Sequence, residues 1–418
     1  MRLISTSTFE FLSAEPSAFK AEGYAILSHR WIGLEITFDR LPSYAPELRK
    51  NRDRPLQPIQ LDKIRGACQI ARSQGVQWMW IDNCCINKAN AVEEAESINS
   101  MFRWYSDAQV CITYLGDVRA THGPLGVETF RSFQTGKPSV WFTRGWTLQE
   151  LLAPENMQFY DVNWEFLGTK QNLAPALEEI TGINTKYLTG EADFRQASIA
   201  AKLSWMAGRE TARVEDIAYS LLGLLDITMT PQYGEGMRAF MRLQHTLLSS
   251  STDESLFAWR MPSEKPNIPA SKFNLNLQEG EWGLLAPSPE WFAGCGNVTI
   301  HGARPIMRPF GGFGMTQQGV QGPIPRGTYN KVGFWAGLSV VGCIPYYVWY
   351  FINRAQTTKL TLNCWEPDDN GKLRAVQLHL RIIFRNPRMF VRTRCTEVRY
   401  KSSTSTLDDF ESAVVMQP

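Results

Sequence analysis

The feature that most restricts the fold is an alternation of two periodicities between residues 24 and 161. "YAILS" (24–28), "WMWID" (78–82), "VCITYL" (110–115) and "MQFYD" (157–161) are short apolar runs rich in β-branched and aromatic residues, the composition of strands. Between the first two, "LDKIRGACQIARSQG" places apolar residues near helical spacing and stops at Gly75. Between the second and third, Ala91, Ala95, Ile98, Phe102 and Tyr105 fall on one helical stripe, and Asn90 with Glu93 has the spacing of a capping box. Strand, helix, strand, helix implies a mostly parallel sheet covered on both faces, the α/β architecture, in which ligands gather at the carboxyl ends of the strands.

The chain then changes character twice. From about 172 to 250 the stretches "IAAKLSWMAGR", "VEDIAYSLLGLL" and "MRAFMRLQHTLL" each carry an apolar stripe, and Val214, Ile217, Ala218, Leu221, Leu222 and Leu225 would form one wide face. After "SLFAWR" (255–260) come Pro, Ser, Lys and Asn, then glycine, aromatic and β-branched residues, with "KLTLNCW" and "AVQLHLRIIF" reading as strands. The expected organisation is a first domain over 1–262, with an α/β core at about 20–165 and an appended helical part at about 170–250. A linker at 263–280 and a β-rich domain at 281–418 follow.

Composition removes several classes of function. A net charge of +2, from 43 basic and 41 acidic residues, gives no field for nucleic acid. The eight cysteines include no CxxC pair and read as reduced thiols, and the N-terminus lacks the apolar run of a leader, so a cytoplasmic address is expected. The run from 332 to 352 is uncharged and long enough to span a bilayer. Its glycines, Pro345 and β-branched residues read instead as two buried strands broken near "IPY", so no stable membrane insertion is expected. No Walker, HExxH or GxSxG motif occurs, and His29, His122, His245, His301 and His379 are scattered, so neither a metal nor a bound cofactor is expected.

What remains is a set of polar residues at strand and helix ends. "YAILSHRW" ends in Ser28, His29, Arg30 and Trp31; "WMWIDNCCINK" ends in Asp82 and Asn83; "WFTRGWTLQELLAP" supplies Arg144, Trp146 and Glu150. On a helix Trp146, Gln149 and Glu150 share one face while Leu148, Leu151 and Leu152 share another. Each residue also has a plainer reading. Asp82 would satisfy backbone amides at a turn, Arg30 and Glu150 would form a partly buried ion pair, Trp31 and Trp146 would be core aromatics, and Cys84 and Cys85 would be inert.

These segments, with "ESINSMFRWYSDAQVCITYLGDV" and "EDIAYSLLGLLDITMTPQYGEGMRAF", together resemble the heterokaryon-incompatibility (HET) domain of filamentous fungi over about residues 24–260. The resemblance implies a role in fungal nonself recognition, with programmed death of cells formed by unlike hyphae. The HET domain is in turn similar to TIR domains, whose fold is Rossmann-like, and "WTLQEL" is similar to the helix that carries the catalytic glutamate of NAD-cleaving TIR domains. On that analogy Glu150 is catalytic. Many family members carry Tyr where His29 stands, and many continue into a nucleotide-binding and repeat region that has no counterpart here.

Two functions follow as expectations. In the first, the protein is an NAD glycohydrolase with NAD as substrate. Glu150 supplies the anion beside the developing oxocarbenium ion. Trp31 or Trp146 stacks on a ring, Arg30 or Arg144 holds the pyrophosphate, Asp82 orients a hydroxyl or water, and Ser28 and Asn83 lie in the same site. In the second, the chain is a non-enzymatic signalling module that assembles with itself or with an incompatibility partner protein. A third reading, a membrane-active toxin using 332–352, predicts partition into membranes.

Overall fold

The computed structural model describes residues 1–50, 58–120, 123–262, 280–301, 312–317, 319–325, 357–385, 388–395, 399–400 and 410–416. The 332–352 run and nearly all of the expected 263–280 linker lie outside the described residues. By internal contact the chain divides into one unit of residues 1–196 and 208–239 and another of 197–207 and 240–418. The helical stretch expected to complete the first domain is thereby shared. Ile199–Met206 and most of Arg238–Ser250 go with the second unit. An amphipathic stripe says that a helix packs, not against what.

The first unit is built on a seven-stranded sheet of β1 (Arg2–Ser5), β2 (Phe11–Ser13), β3 (Ala25–His29), β4 (Trp78–Trp80), β5 (Val110–Tyr114), β6 (Met157–Tyr160) and β7 (Phe166–Thr169). Their order is β2-β1-β4-β3-β5-β6-β7. The four central strands are the four apolar runs, and they pair in parallel, for example Ile26 with both Trp80 and Cys111. β3 and β5 are buried along their whole length, as strands covered on both faces must be. The sheet is mixed, however, because β1, β2 and β7 pair antiparallel at its margins. These edge strands are short and partly exposed, so they lack the apolar run that marks the central four.

The helices follow the sequence patterns with two corrections. Ile59–Ser73 ends before Gly75, whose φ of 80° suits glycine. Ala91–Asp107 starts at Asn90, whose side chain accepts from the amides of Val92 and Glu93. Only half of the capping box forms. Glu93 turns away to accept from the Asn87 amide at 2.9 Å and to pair with Arg2 at 2.7 Å. The second correction concerns "VEDIAYSLLGLL", where only Asp216–Tyr219 is α-helical and Val214 is exposed. The chain tightens into i to i−3 bonds at Leu221 and Leu222, and at Gly223 a Cβ would stand 2.1 Å from Phe102. The leucines there are buried, but by turns rather than by one helical face.

The second unit carries β8 (Gly314–Thr316), β9 (Gly319–Pro325), β10 (Thr357–Pro367), β11 (Leu373–Arg385), β12 (Arg388–Thr393), β13 (Arg399–Tyr400) and β14 (Phe410–Met416). They form one sheet, antiparallel except where β12 and β14 run parallel. Its core holds a buried cation. Arg392 lies over the Trp259 ring at 3.7 Å and donates to the carbonyls of Phe257 and Trp259. Desolvation is thus offset by two hydrogen bonds and the ring's negative face.

Candidate functional site

β3 and β4 are parallel neighbours, so the residues after them emerge at the same edge of the sheet. β3 ends at His29, followed by Arg30 and Trp31, and β4 is followed by Asp82, which opens the short helix Asp82–Cys85. The Thr147–Leu152 helix brings Glu150 to that edge. Together they border a cavity of about 430 Å³ lined by His29, Arg30, Trp31, Asp82, Lys88, Arg144, Trp146 and Glu150, with Glu94, Arg213, Asp216 and Tyr233. That size lies in the range of small-ligand sites, roughly 300–1,000 Å³.

The helix that carries Glu150 is held from both ends. Leu148, Leu151 and Leu152 are buried beneath it. At its start the Thr147 hydroxyl faces the carbonyls of Trp141 and Arg144, and Arg209 donates to Arg144 O at 3.0 Å and to Thr147 Oγ1 at 3.2 Å. At its end the Lys170 ammonium donates to the carbonyls of Leu151 and Pro154, satisfying groups that a helix terminus leaves unpaired. Trp146 and Glu150 reach the cavity while Gln149, expected on the same face, is 1% exposed and lies outside its lining. A helix this short leaves only its outermost face to the site.

Glu150 sits at the end of a chain of buried donors. Trp141 Nε1 donates to Ser28 Oγ at 3.0 Å, and Ser28 Oγ donates to Glu150 Oε2 at 2.5 Å. The Tyr105 hydroxyl, which donates to Leu27 O at 3.0 Å, is a further polar partner of the carboxyl. Burial is the largest influence and, with the charge of Asp82, pushes the carboxyl up to about 8. The Ser28 hydrogen bond, the nearby Tyr105 hydroxyl and the Arg209 charge oppose it. Asp82 goes the other way. Burial works to raise it, but the bond to His29, the Lys88 charge and the bond from Trp31 hold it well below the usual carboxylate range. Two carboxyls in one cavity with opposite shifts divide the roles of proton holder and fixed anion.

The aromatic residues are not core. Trp31 is 44% exposed, its Nε1 donates to Asp82 Oδ2 at 2.9 Å, and Lys88 Nζ lies 3.8 Å from its ring centroid. Trp146 is half-buried and lies beside Asp216, which accepts from the Tyr233 hydroxyl at 3.0 Å. Arg213 covers the Tyr233 ring at 4.0 Å. Burial still leaves the Asp216 carboxyl raised, despite the Trp146 indole and the Tyr233 hydroxyl beside it. Arg30 and Arg144 differ from Lys88 and Arg213 in having no carboxylate partner among the described residues, so the Arg30–Glu150 ion pair does not form.

Six of the eight expected site residues therefore line one cavity: Arg30, Trp31, Asp82, Arg144, Trp146 and Glu150. Ser28 lies one layer behind, fully buried, and meets the site only through Glu150. Asn83 is turned away, donating to Ile36 O at 2.8 Å and facing Glu35, which is itself paired with buried Lys63 at 2.5 Å. Alternation explains both. Ser28 points from a buried strand into the layer under the helix, and Asn83 is one helical step round from Asp82. Asp82 takes side-chain donors rather than turn amides. Lys88, Glu94, Arg213, Asp216 and Tyr233 carried no local signal, because they come from loops and helix surfaces that only folding brings together.

Comparison with known proteins adds three findings. Residues 24–140 match the family model described as heterokaryon incompatibility protein (HET), which covers β3 to β5 and ends before Arg144 and Glu150. Vegetative incompatibility protein HET-E-1 of Podospora anserina is 37% identical over 235 residues, 54% of this chain and 16% of that relative, so the chain spans a small part of the relative's length. No solved structure matches.

Proposed function

We propose that this chain, which carries a fungal HET domain, acts in vegetative incompatibility, and that its cavity cleaves the nicotinamide glycosidic bond of NAD, linking recognition to cell death. The observation that carries the reading is one buried carboxyl, Glu150, in the wall of a cavity that also presents Arg30 and Arg144, without carboxylate partners among the described residues, and the rings of Trp31 and Trp146. A dinucleotide asks for those elements: planar guanidinium forks for a pyrophosphate, rings for stacking, and an anion for the reacting sugar.

In the step, the bond between ribose C1′ and the nicotinamide nitrogen breaks and its electron pair goes to the ring nitrogen, discharging the pyridinium. Positive charge passes to the ribose, where a carboxylate at Glu150 would stabilise it; water then attacks C1′ and gives up its proton. Glu150 must be ionised for this. The cationic nicotinamide ring beside it favours the ionised form, so substrate binding itself would prepare the anion. A TIR-like, Rossmann-like relation is part of this proposal, and it concerns the parallel core alone.

The test is release of free nicotinamide by purified protein, alongside Glu150→Gln. The variant is expected to lose on the order of 100- to 1,000-fold in rate. Absence of release by the wild type, even when concentrated to force assembly, would overturn the enzymatic reading in favour of a module that works through partner proteins. Equal cleavage by both proteins would remove Glu150 from the chemistry.

A further inference from the structure

His29 lines the cavity at the end of β3, with a side chain only 2% exposed. Its Nε2 lies 2.9 Å from Asp82 Oδ1, while Asp82 Oδ2 takes the Trp31 indole at 2.9 Å and stands 3.9 Å from Lys88 Nζ. An ionised carboxylate offers only lone pairs, so whenever the ring holds a single proton that proton sits on Nε2, which leaves Nδ1 as an acceptor. That Nδ1 is buried and has no hydrogen-bond partner among the described residues. Of the residues lining the cavity, His29 alone has such an atom. An unpaired buried polar atom is destabilising, and a donor arriving with a ligand would remove that cost.

We propose that His29 is a hydroxyl-recognising residue of this cavity, its Nδ1 accepting a hydrogen bond from a sugar hydroxyl of the ligand, with Asp82 as the positioning residue that fixes the ring. The choice of a ribose as donor rests on the nucleotide reading above. Asp82 thereby holds two recognition elements in one frame, the imidazole through Oδ1 and the Trp31 ring through Oδ2. The subsite predicts a ligand whose sugar hydroxyls matter for affinity, beyond its charge and its rings.

The experiment uses ADP-ribose, which lacks the scissile bond, in calorimetric titrations of wild type, His29→Phe and His29→Asn, with nicotinamide release from NAD measured in parallel. His29→Phe removes the acceptor and should weaken ADP-ribose binding about tenfold, a difference of about 1.4 kcal/mol. His29→Asn keeps an oxygen near the place of Nδ1 and should bind within about threefold of wild type, which a purely structural role for the imidazole would not produce. Tight binding by His29→Phe overturns the inference and leaves NAD cleavage standing. Should that variant fail to fold, His29→Asn decides: near-wild-type binding supports the inference, and a tenfold loss in a folded protein overturns it. Binding with the expected pattern but no nicotinamide release supports the subsite and defeats the enzymatic reading. Failure of ADP-ribose to bind the wild type overturns the inference whether or not NAD is cleaved.

Discussion

Burial gives Glu150 a pH signature independent of any ligand. Its carboxyl stands at about 8 in the folded protein against an ordinary value of 4.5, so between those values the native state holds a proton that the unfolded chain has lost. The stabilising contribution is fully present below 4.5 and disappears as pH rises through 8. Glu150→Gln removes that titration. Thermal melts of the two proteins should therefore diverge as pH rises from 4.5 to 8, with the variant gaining on the order of 5 kcal/mol relative to wild type, and run parallel above it. Parallel curves throughout would mean that the carboxyl is not buried as described. For the proposed cleavage the sign is opposite: kcat/KM should fall as pH drops below about 8, because the free protein must lose that proton first. Glu150 was legible as a carboxylate on a helix. Its shift was not, since Ser28, Tyr105 and Asp82 act on it from three other segments.

Single elements carry their own tests. Leu151 is fully buried under the short helix that presents Glu150, and Leu151→Ala should cost about 2–5 kcal/mol in denaturant titration. An effect below about 1 kcal/mol would show that the helix is not anchored by its leucines. Asn90→Ala removes the cap of Ala91–Asp107, and a loss of about 1 kcal/mol is expected by the same measurement. That cap could be read from sequence because it is local, an Asn directly before an apolar stripe. The reciprocal half of the box could not, because Glu93 is claimed by Arg2, far away in the chain. The same distinction explains "VEDIAYSLLGLL". Its helical spacing is real, but the chain tightens into i to i−3 bonds at Leu221 and Leu222, and Gly223 lies against Phe102, a residue far away in the chain that the local pattern does not register.

For the molecule as a whole, the seven described cysteines are free and buried, and burial raises the thiols of Cys68, Cys84, Cys85, Cys111, Cys295, Cys364 and Cys395. Of the eight in the sequence this leaves one, so a thiol reagent should find at most one fast group in the native protein and eight after denaturation. More than one fast native thiol would contradict the burial described. Among the described residues no helix is long and apolar enough to cross a membrane. The sequence by itself determined the four central strands, the helices at 59–73 and 91–107 and the β-rich character after 280, because each depends on a period of two or 3.6 residues carried by neighbours in the chain. Tertiary structure alone decided the short edge strands, the sharing of the helical stretch between two units and the company that Glu150 and His29 keep. Those outcomes turn on residues far apart in sequence meeting in space, a relation that no local pattern of apolar and polar residues encodes.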